Sequence, residues 1–178
     1  MDGVLVREMT EADIDAVAAV RVRGWQEAYA GLMPQSYLDG LSVEEDAGRR
    51  REFFSRGVGD VVNLVAEENG GGVVGWCCFG PYRERDVPEG DAELYALYVR
   101  PGLVGTGIGR ALLGESLDRV AERGFPRLRL WVLRDNARAR RFYERAGFAP
   151  DGGAEAYDVD GVSVPEVRYA RRLDPAAA

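Results

Sequence analysis

Apolar positions recur along this chain with two different periods, and the switches between them mark out the elements. Ile14, Val17, Ala18, Val22 and Trp25 fall on one helical face. Thr10-Glu-Ala-Asp13 precedes them as a helix start, with Thr10 as N-cap and an acid three residues on. Ser42-Val-Glu-Glu45 is a stronger capping box and opens a helix that runs through Phe53 and Phe54. Short runs rich in β-branched and aromatic residues read as strands at Val4 to Arg7, Val61 to Glu67, Val73 to Phe79, Ala92 to Val99, Arg127 to Leu133 and Val164 to Arg171. Between the second and third of these, Glu68-Asn-Gly-Gly-Gly72 carries the Asn-Gly pair of a tight hairpin turn. The Ala92 to Val99 strand is apolar on both faces, which predicts helices covering it on both sides. Helices follow to Arg123, stopped by Gly124, and over Asn136 to Ala146, stopped by Gly147. A hairpin followed by β–α–β–α–β predicts an α/β or α+β fold, with a mixed central sheet flanked by helices.

With 178 residues the chain has the length of one domain. Residues 1–174 are expected to form that domain and 175–178 a frayed tail. No run reaches the length of a membrane span, and the start lacks a charged segment followed by an apolar one. Neither a signal peptide nor a membrane anchor is therefore expected.

Composition then removes whole chemistries. There is no His, so Ser-His and Cys-His triads and His-ligated metals are excluded. All 23 basic residues are Arg, which excludes Schiff-base lysines and the P-loop. The only cysteines, Cys77 and Cys78, are neighbours that point to opposite faces of a strand, so neither a disulfide nor a zinc site is expected, and a reducing cytoplasm suits them. The net charge of −7 argues against nucleic acid and anionic membranes as partners.

Two segments carry candidate chemistry. In the first, Gly105-Thr-Gly107-Ile-Gly109 leaves a strand and enters a helix. Glycines let several backbone N–H groups converge, and the helix N-terminus adds its unpaired N–H groups and partial positive charge. Together they suit a phosphate or pyrophosphate. A dinucleotide fingerprint would need Gly where Arg110 stands, and an early strand. The plainer alternative is a turn that only caps a helix. In the second segment, Asn136 and Tyr143 are seven apart, two turns along one helical face and about 10 Å along its axis. Asn136 has an amide to offer a ligand's amides. Tyr143 has a phenolic proton with a pKa near 10, suited to a thiolate or alkoxide leaving group. The plainer alternative is that Asn136 caps the helix and Tyr143 packs in the core.

Together, Ala92-Glu-Leu-Tyr-Ala-Leu-Tyr-Val99 with Pro101 and Gly105-Thr-Gly-Ile-Gly-Arg-Ala-Leu-Leu113, and then Asn136-Ala-x-Ala-x-x-Phe-Tyr-Glu-x-x-Gly-Phe148, resemble the GCN5-related N-acetyltransferases (GNAT superfamily) in order, spacing and context. The resemblance implies an acetyl-CoA-dependent N-acetyltransferase. It would move an acetyl group to a primary amine of a small molecule or peptide by direct transfer in a ternary complex, without a metal. It implies that backbone N–H groups of Val104, Gly105, Thr106, Gly107, Ile108 and Gly109 cradle the pyrophosphate. Leu97, Tyr98 and Val99 would hold the pantetheine arm like an added strand, and one of their N–H groups would polarise the thioester carbonyl. Asn136 would bond the arm, and Tyr143 would protonate the departing thiolate. The family usually carries Gln or Arg where Val104 stands. The backbone grip survives this change but a side-chain contact does not; Arg110 and Arg100 are the candidates to compensate.

Glu93 sits where some family members carry a catalytic glutamate. Unpaired on a buried strand it would have a raised pKa and act as the base; alternatively it pairs with an Arg. Glu27 is a second candidate for the amine. Trp25 and Tyr29, near the end of the first helix, are candidates for holding a cationic amine by cation–π attraction, against core packing for Trp25. Arg140, beside the Asn136–Tyr143 face, is a candidate for a cofactor phosphate, while the other arginine runs read as solvated faces. A homodimer is compatible with the resemblance. A CoA-binding module without turnover, and an enzyme using a longer acyl-CoA, are the alternatives.

Overall fold

The computed structural model describes residues 3–57, 59–87 and 90–173; the expected frayed tail at 175–178 lies outside them. The chain runs β1 (Leu5–Glu8), a 3-10 turn (Glu11–Asp13), α1 (Ile14–Ala28), α2 (Gln35–Asp39), α3 (Val43–Ser55), β2 (Val62–Glu68), β3 (Gly72–Pro81), β4 (Ala92–Val99), α4 (Ile108–Glu122), β5 (Arg127–Leu133), α5 (Ala137–Arg145), β6 (Ala149–Val159) and β7 (Val162–Arg172). The strands form one seven-stranded sheet in the order β1-β2-β3-β4-β5-β7-β6. Among the described strands, only the central pair, β4 and β5, is parallel. This is the mixed sheet flanked by helices that the periodicities imply.

The local signals act as expected, with refinements. The backbone N–H of Thr10 donates to Asp13 Oδ2 at 2.8 Å, but the first turn is 3-10 and the α-helix proper begins at Ile14. Ser42 Oγ accepts from the Glu45 N–H at 3.2 Å and starts α3. The β2–β3 turn holds three residues, Asn69-Gly-Gly71, rather than a two-residue Asn-Gly loop, and the Gly71 N–H donates to the Glu68 carbonyl.

Two elements go beyond the sequence reading. Helix α2 is a short turn after Pro34 that seats the fully buried Leu38. Strand β6 pairs with β7 through an Asp160-Gly161 turn in which both residues have positive φ, 48° and 76°. That Asp-Gly pair is a strong hairpin signal, but β6 is mostly exposed and built largely of Ala and Gly, so its alternation is faint.

The sheet carries an apolar core on each face. Leu112, Leu113 and Val120 of α4 pack on Leu64, Leu128 and Leu130. Here Gly75 on β3 is required: a Cβ would stand 2.9 Å from both Ile108 and Leu112, so only glycine lets α4 lie this close. On the other face Ile14, Val17 and Ala18 of α1 pack with Val65 and Trp76. A third cluster, Met33, Leu38, Leu133, Val159 and Val164, joins α2 to the β5 and β6–β7 end.

Candidate active site

The site begins where the sheet comes apart. Among the described residues, β4 and β5 pair only at Ala92↔Leu128 and Glu93↔Arg129. Beyond that point the strands diverge, and the edge of β4 facing β5 is left without a partner. A bulge accompanies the divergence: β3 pairs Cys78 with Ala96 and Phe79 with Leu94, so Tyr95 is the extra residue. Bulges of this kind bend a strand and re-aim its side chains.

The gap is a cleft of about 1390 Å³. At one end lies the glycine loop. Gly102, Gly105 and Gly107 all have positive φ, 87°, 89° and 97°. Gly107 is the N-cap of α4, and the first helical bond runs from the Ala111 N–H to its carbonyl. The N–H groups of Ile108, Gly109 and Arg110 therefore precede the helix's own ladder and need outside acceptors. A Cβ on Gly107 would meet nothing within 4 Å, so glycine is needed here for its dihedral and the space above it is open. Thr106 departs from the expectation: its N–H and hydroxyl both turn back onto the Leu103 carbonyl, at 3.3 and 2.6 Å.

Of the sequence candidates, Glu27, Tyr29, Leu97, Tyr98, Val99, Val104, Gly105, Gly107, Gly109, Arg110, Asn136 and Tyr143 line this one cleft. For Asn136 and Tyr143 the plain and functional readings hold together. Asn136 Oδ1 caps α5 by accepting from the Ala139 N–H at 3.1 Å, while the residue still faces the cleft. Tyr143 packs edge-on against Phe142 and Phe148, with ring centres 5.1 and 5.8 Å away. Burial, and then the nearby Tyr98 and Cys77, push its pKa above the ordinary phenol range. The phenol is thus held protonated, which is the state a proton donor needs.

Five candidates lie elsewhere. Glu93 does not line the cleft; it is 2% exposed and accepts from Arg83, at 2.6 Å from Nη2 and 3.2 Å from the backbone N–H. Of the two alternatives for Glu93, the structure shows the one paired with an Arg. Arg140 turns away to the sheet, where it donates to the Tyr169 hydroxyl and the Arg134 carbonyl, both at 2.8 Å. Trp25 sits behind the wall: its ring stands edge-on to Tyr29 at 5.0 Å and 6.4 Å from Tyr98, and its own cation–π partner is Arg21. The Ile108 side chain points into the core, while its N–H, the group expected to act, stays at the open start of α4; Thr106 lies off the lining. Of the two arginines proposed to offset Val104, Arg110 faces the cleft, whereas Arg100 is paired with Glu68 at 3.5 Å.

The cleft also holds residues the sequence reading missed. Arg138, Arg141 and Arg145 of α5 line it, and Arg138 Nη2 would lie 3.9 Å from a Cβ on Gly105 of the glycine loop. Their 3–4 spacing, on the helix already marked by Asn136 and Tyr143, was the available signal. At the far end Tyr29 and Tyr98 touch through their hydroxyls at 3.1 Å. Glu166 joins them there; its signal was a charged residue two positions from the inward Val164. Cys77 and Cys78 are buried, which pushes each thiol up to about 12, so neither offers a thiolate. Among the described residues no group of acids and cysteines could hold a metal ion.

Comparison with known proteins finds relatives that span nearly the whole chain. The profile of the "Acetyltransferase (GNAT) family" covers residues 24–148. The chain belongs to the GNAT acetyltransferase family. The uncharacterized N-acetyltransferase YuaI of Bacillus subtilis is 33% identical over 92% of this chain and 90% of its own length. The ribosomal-protein-alanine N-acetyltransferase of Brucella melitensis superposes with a TM-score of 0.74 at 27% identity, over 95% of this chain and 99% of its own. The PaiA N-acetyltransferase of Thermoplasma acidophilum, solved in complex with coenzyme A, shares the fold with a TM-score of 0.71 at 22% identity, over 96% and 99% of the two chains. Among the described residues of this GNAT protein, no helix is long and apolar enough to cross a membrane.

Proposed function

We propose that this GNAT protein transfers an acetyl group from acetyl-CoA to a primary amine, directly and within a ternary complex. The unpaired edge of β4 between the glycine loop and Tyr143 carries this reading. An extended, amide-bearing arm fits there as a missing strand: backbone groups of Leu97 and Val99 face the gap that β5 vacates, while those of Tyr98 face β3. The neighbour solved with coenzyme A has the same fold.

The chain's own groups divide the work. The N–H groups at the start of α4 and at Gly105 and Gly107 hold a diphosphate, with the dipole of a 15-residue helix behind them. Arg110 in the first turn of α4 and Arg138 near Gly105 bring positive charge to that end, and Arg141 and Arg145 add to it in the cleft wall, against the chain's overall −7. The amide of Asn136 orients the arm. A β4 N–H stabilises charge on the carbonyl oxygen. When bound, acetyl-CoA supplies an activated acetyl group and a thiol leaving group. Tyr143 gives its proton to the departing sulfur, and the proton shed by the nascent amide restores the phenol.

The amine reaches the reacting carbon from the opposite side of the sheet, past Glu27, Tyr29 and Glu166. A small molecule or the terminus of a peptide fits this approach equally. Thiol release from acetyl-CoA with a panel of primary amines, with mass detection of the acetylated product, tests the proposal. No release with any amine, or no calorimetric binding of coenzyme A at millimolar concentration, overturns it.

A further inference from the structure

With Glu93 committed to Arg83, the amine end of the cleft needs another group to take the ammonium proton. We infer that Glu166 on β7 is the catalytic base for the acceptor amine, and that Glu155, directly across from it on β6, sets its proton affinity. This rests on the acetyl-transfer reading above.

The placement is specific. Glu166 lines the cleft beyond the point where β4 and β5 part, on the sheet face that carries Tyr29 rather than on the glycine-loop face. The Tyr29 phenol is pushed up first by burial and then by Tyr98, Tyr143 and Glu166, so the proton donor and Glu166 lie within Coulombic reach of one hydroxyl. Tyr143, Glu166 and the Tyr29–Tyr98 pair thus line the same cleft.

The electrostatics are equally particular. Glu155 and Glu166 are register partners across antiparallel strands, an arrangement in which like charges repel. Glu166 is half-buried and Glu155 exposed, so the cost of ionisation falls on Glu166. Burial, then Glu155, then the more distant Glu84 and Glu93, raise its pKa to about 7. Among the described residues, Arg83 is paired with Glu93, Arg21 with Asp46, and Arg168, two residues along β7, with Asp86 and Asp151, donating also to Tyr82. A carboxylate so tuned attracts an ammonium and accepts its proton near neutral pH. One N–H bond breaks, an O–H bond forms on Glu166, and the electron pair stays on nitrogen for attack. The proton then leaves to solvent through the open end of the cleft.

The test compares wild type with Glu166→Gln and Glu155→Gln, using cadaverine, phenethylamine and a tripeptide with a free amino terminus. For wild type, kcat/KM is expected to rise with pH through a limb near pH 7. In Glu166→Gln it falls by about 100-fold or more at pH 8 while acetyl-CoA affinity is kept. In Glu155→Gln the limb moves down by about one pH unit, because the like charge is gone. Independently of turnover, NMR of protein labelled at the Glu carboxyl carbons shows a group titrating near pH 7 that is absent from Glu166→Gln. Wild-type turnover that Glu166→Gln retains within about threefold, with the same limb, overturns the inference and leaves the acetyl-transfer reading standing. Absence of that titrating carboxyl also overturns it. No wild-type turnover with any of the amines removes both.

Discussion

Arg129 Nε and Asp91 Oδ2 lie 2.6 Å apart, both nearly buried, at the last rung where β4 and β5 still pair. Arg129 also reaches Asp151 on β6. The pair clamps the root of the divergence, and the cleft opens immediately beyond it. Removing one partner of a buried ion pair leaves the other desolvated and uncompensated. Asp91→Ala is therefore expected to cost about 3 kcal/mol of stability, at the low end of such cases because Arg129 keeps Asp151. Denaturant melts check the stability. Calorimetry is expected to show weaker coenzyme A binding, since the root of the cleft is no longer fixed.

Tyr143 is held neutral by burial at the edge of the cleft. Phenylalanine keeps its packing against Phe142 and Phe148 and removes only the proton. Tyr143→Phe is expected to lower kcat by about 100-fold while the dissociation constant of acetyl-CoA changes by less than about twofold. Equal turnover in the two proteins would take Tyr143 out of the chemistry.

The proposed anion cradle makes a separate prediction. Gly107 has φ 97° with nothing within 4 Å of a Cβ, so alanine there suffers from strain and not from collision. Gly107→Ala is expected to cost about 1–2 kcal/mol in the left-handed region or to shift the loop out of it. Either result turns the α4 N–H groups off target, and coenzyme A affinity drops about tenfold or more. Dephospho-coenzyme A and free pyrophosphate in the same titration would show whether the loss lies at the diphosphate.

Far from the site, the Arg7–Asp13–Glu67 network sets an acid-stability term. Hydrogen bonds from Arg7, opposed by burial and helped by Thr10, hold the Asp13 carboxyl at about 2 against an ordinary 3.8. The folded state thus binds the proton more weakly than the unfolded one. The stabilisation is fully present above pH 3.8 and is lost as pH falls through about 2. Its size is about 2 kcal/mol. Arg7→Met should lose that much at pH 7, and the difference from wild type should shrink towards pH 2. Urea melts at pH 7, 4 and 2.5 check this; a gap independent of pH would assign the loss to packing.

Most of the elements, and the turn proposed to cradle a diphosphate, were legible in the order of residues. Periodicity placed α1, α3, α4, α5 and six of the strands, and the Gly105-x-Gly-x-Gly109 spacing located a turn that needs positive φ. These are local properties: a hydrophobic period or a left-handed dihedral is imposed by neighbouring residues. Tertiary structure decided what depends on distant partners. Glu93 had the right position for a base, yet Arg83, ten residues away in the chain, holds it out of the cleft. Arg140 and Arg141 are adjacent in sequence, but the helix turns one to Tyr169 and the other to the cleft. Glu166 became a candidate only through the β6–β7 pairing, which sets Glu155 opposite it and brings both to the amine end. The charge state of a carboxylate is fixed by what surrounds it in space, and the chain's order records that only where the neighbours are near in sequence as well.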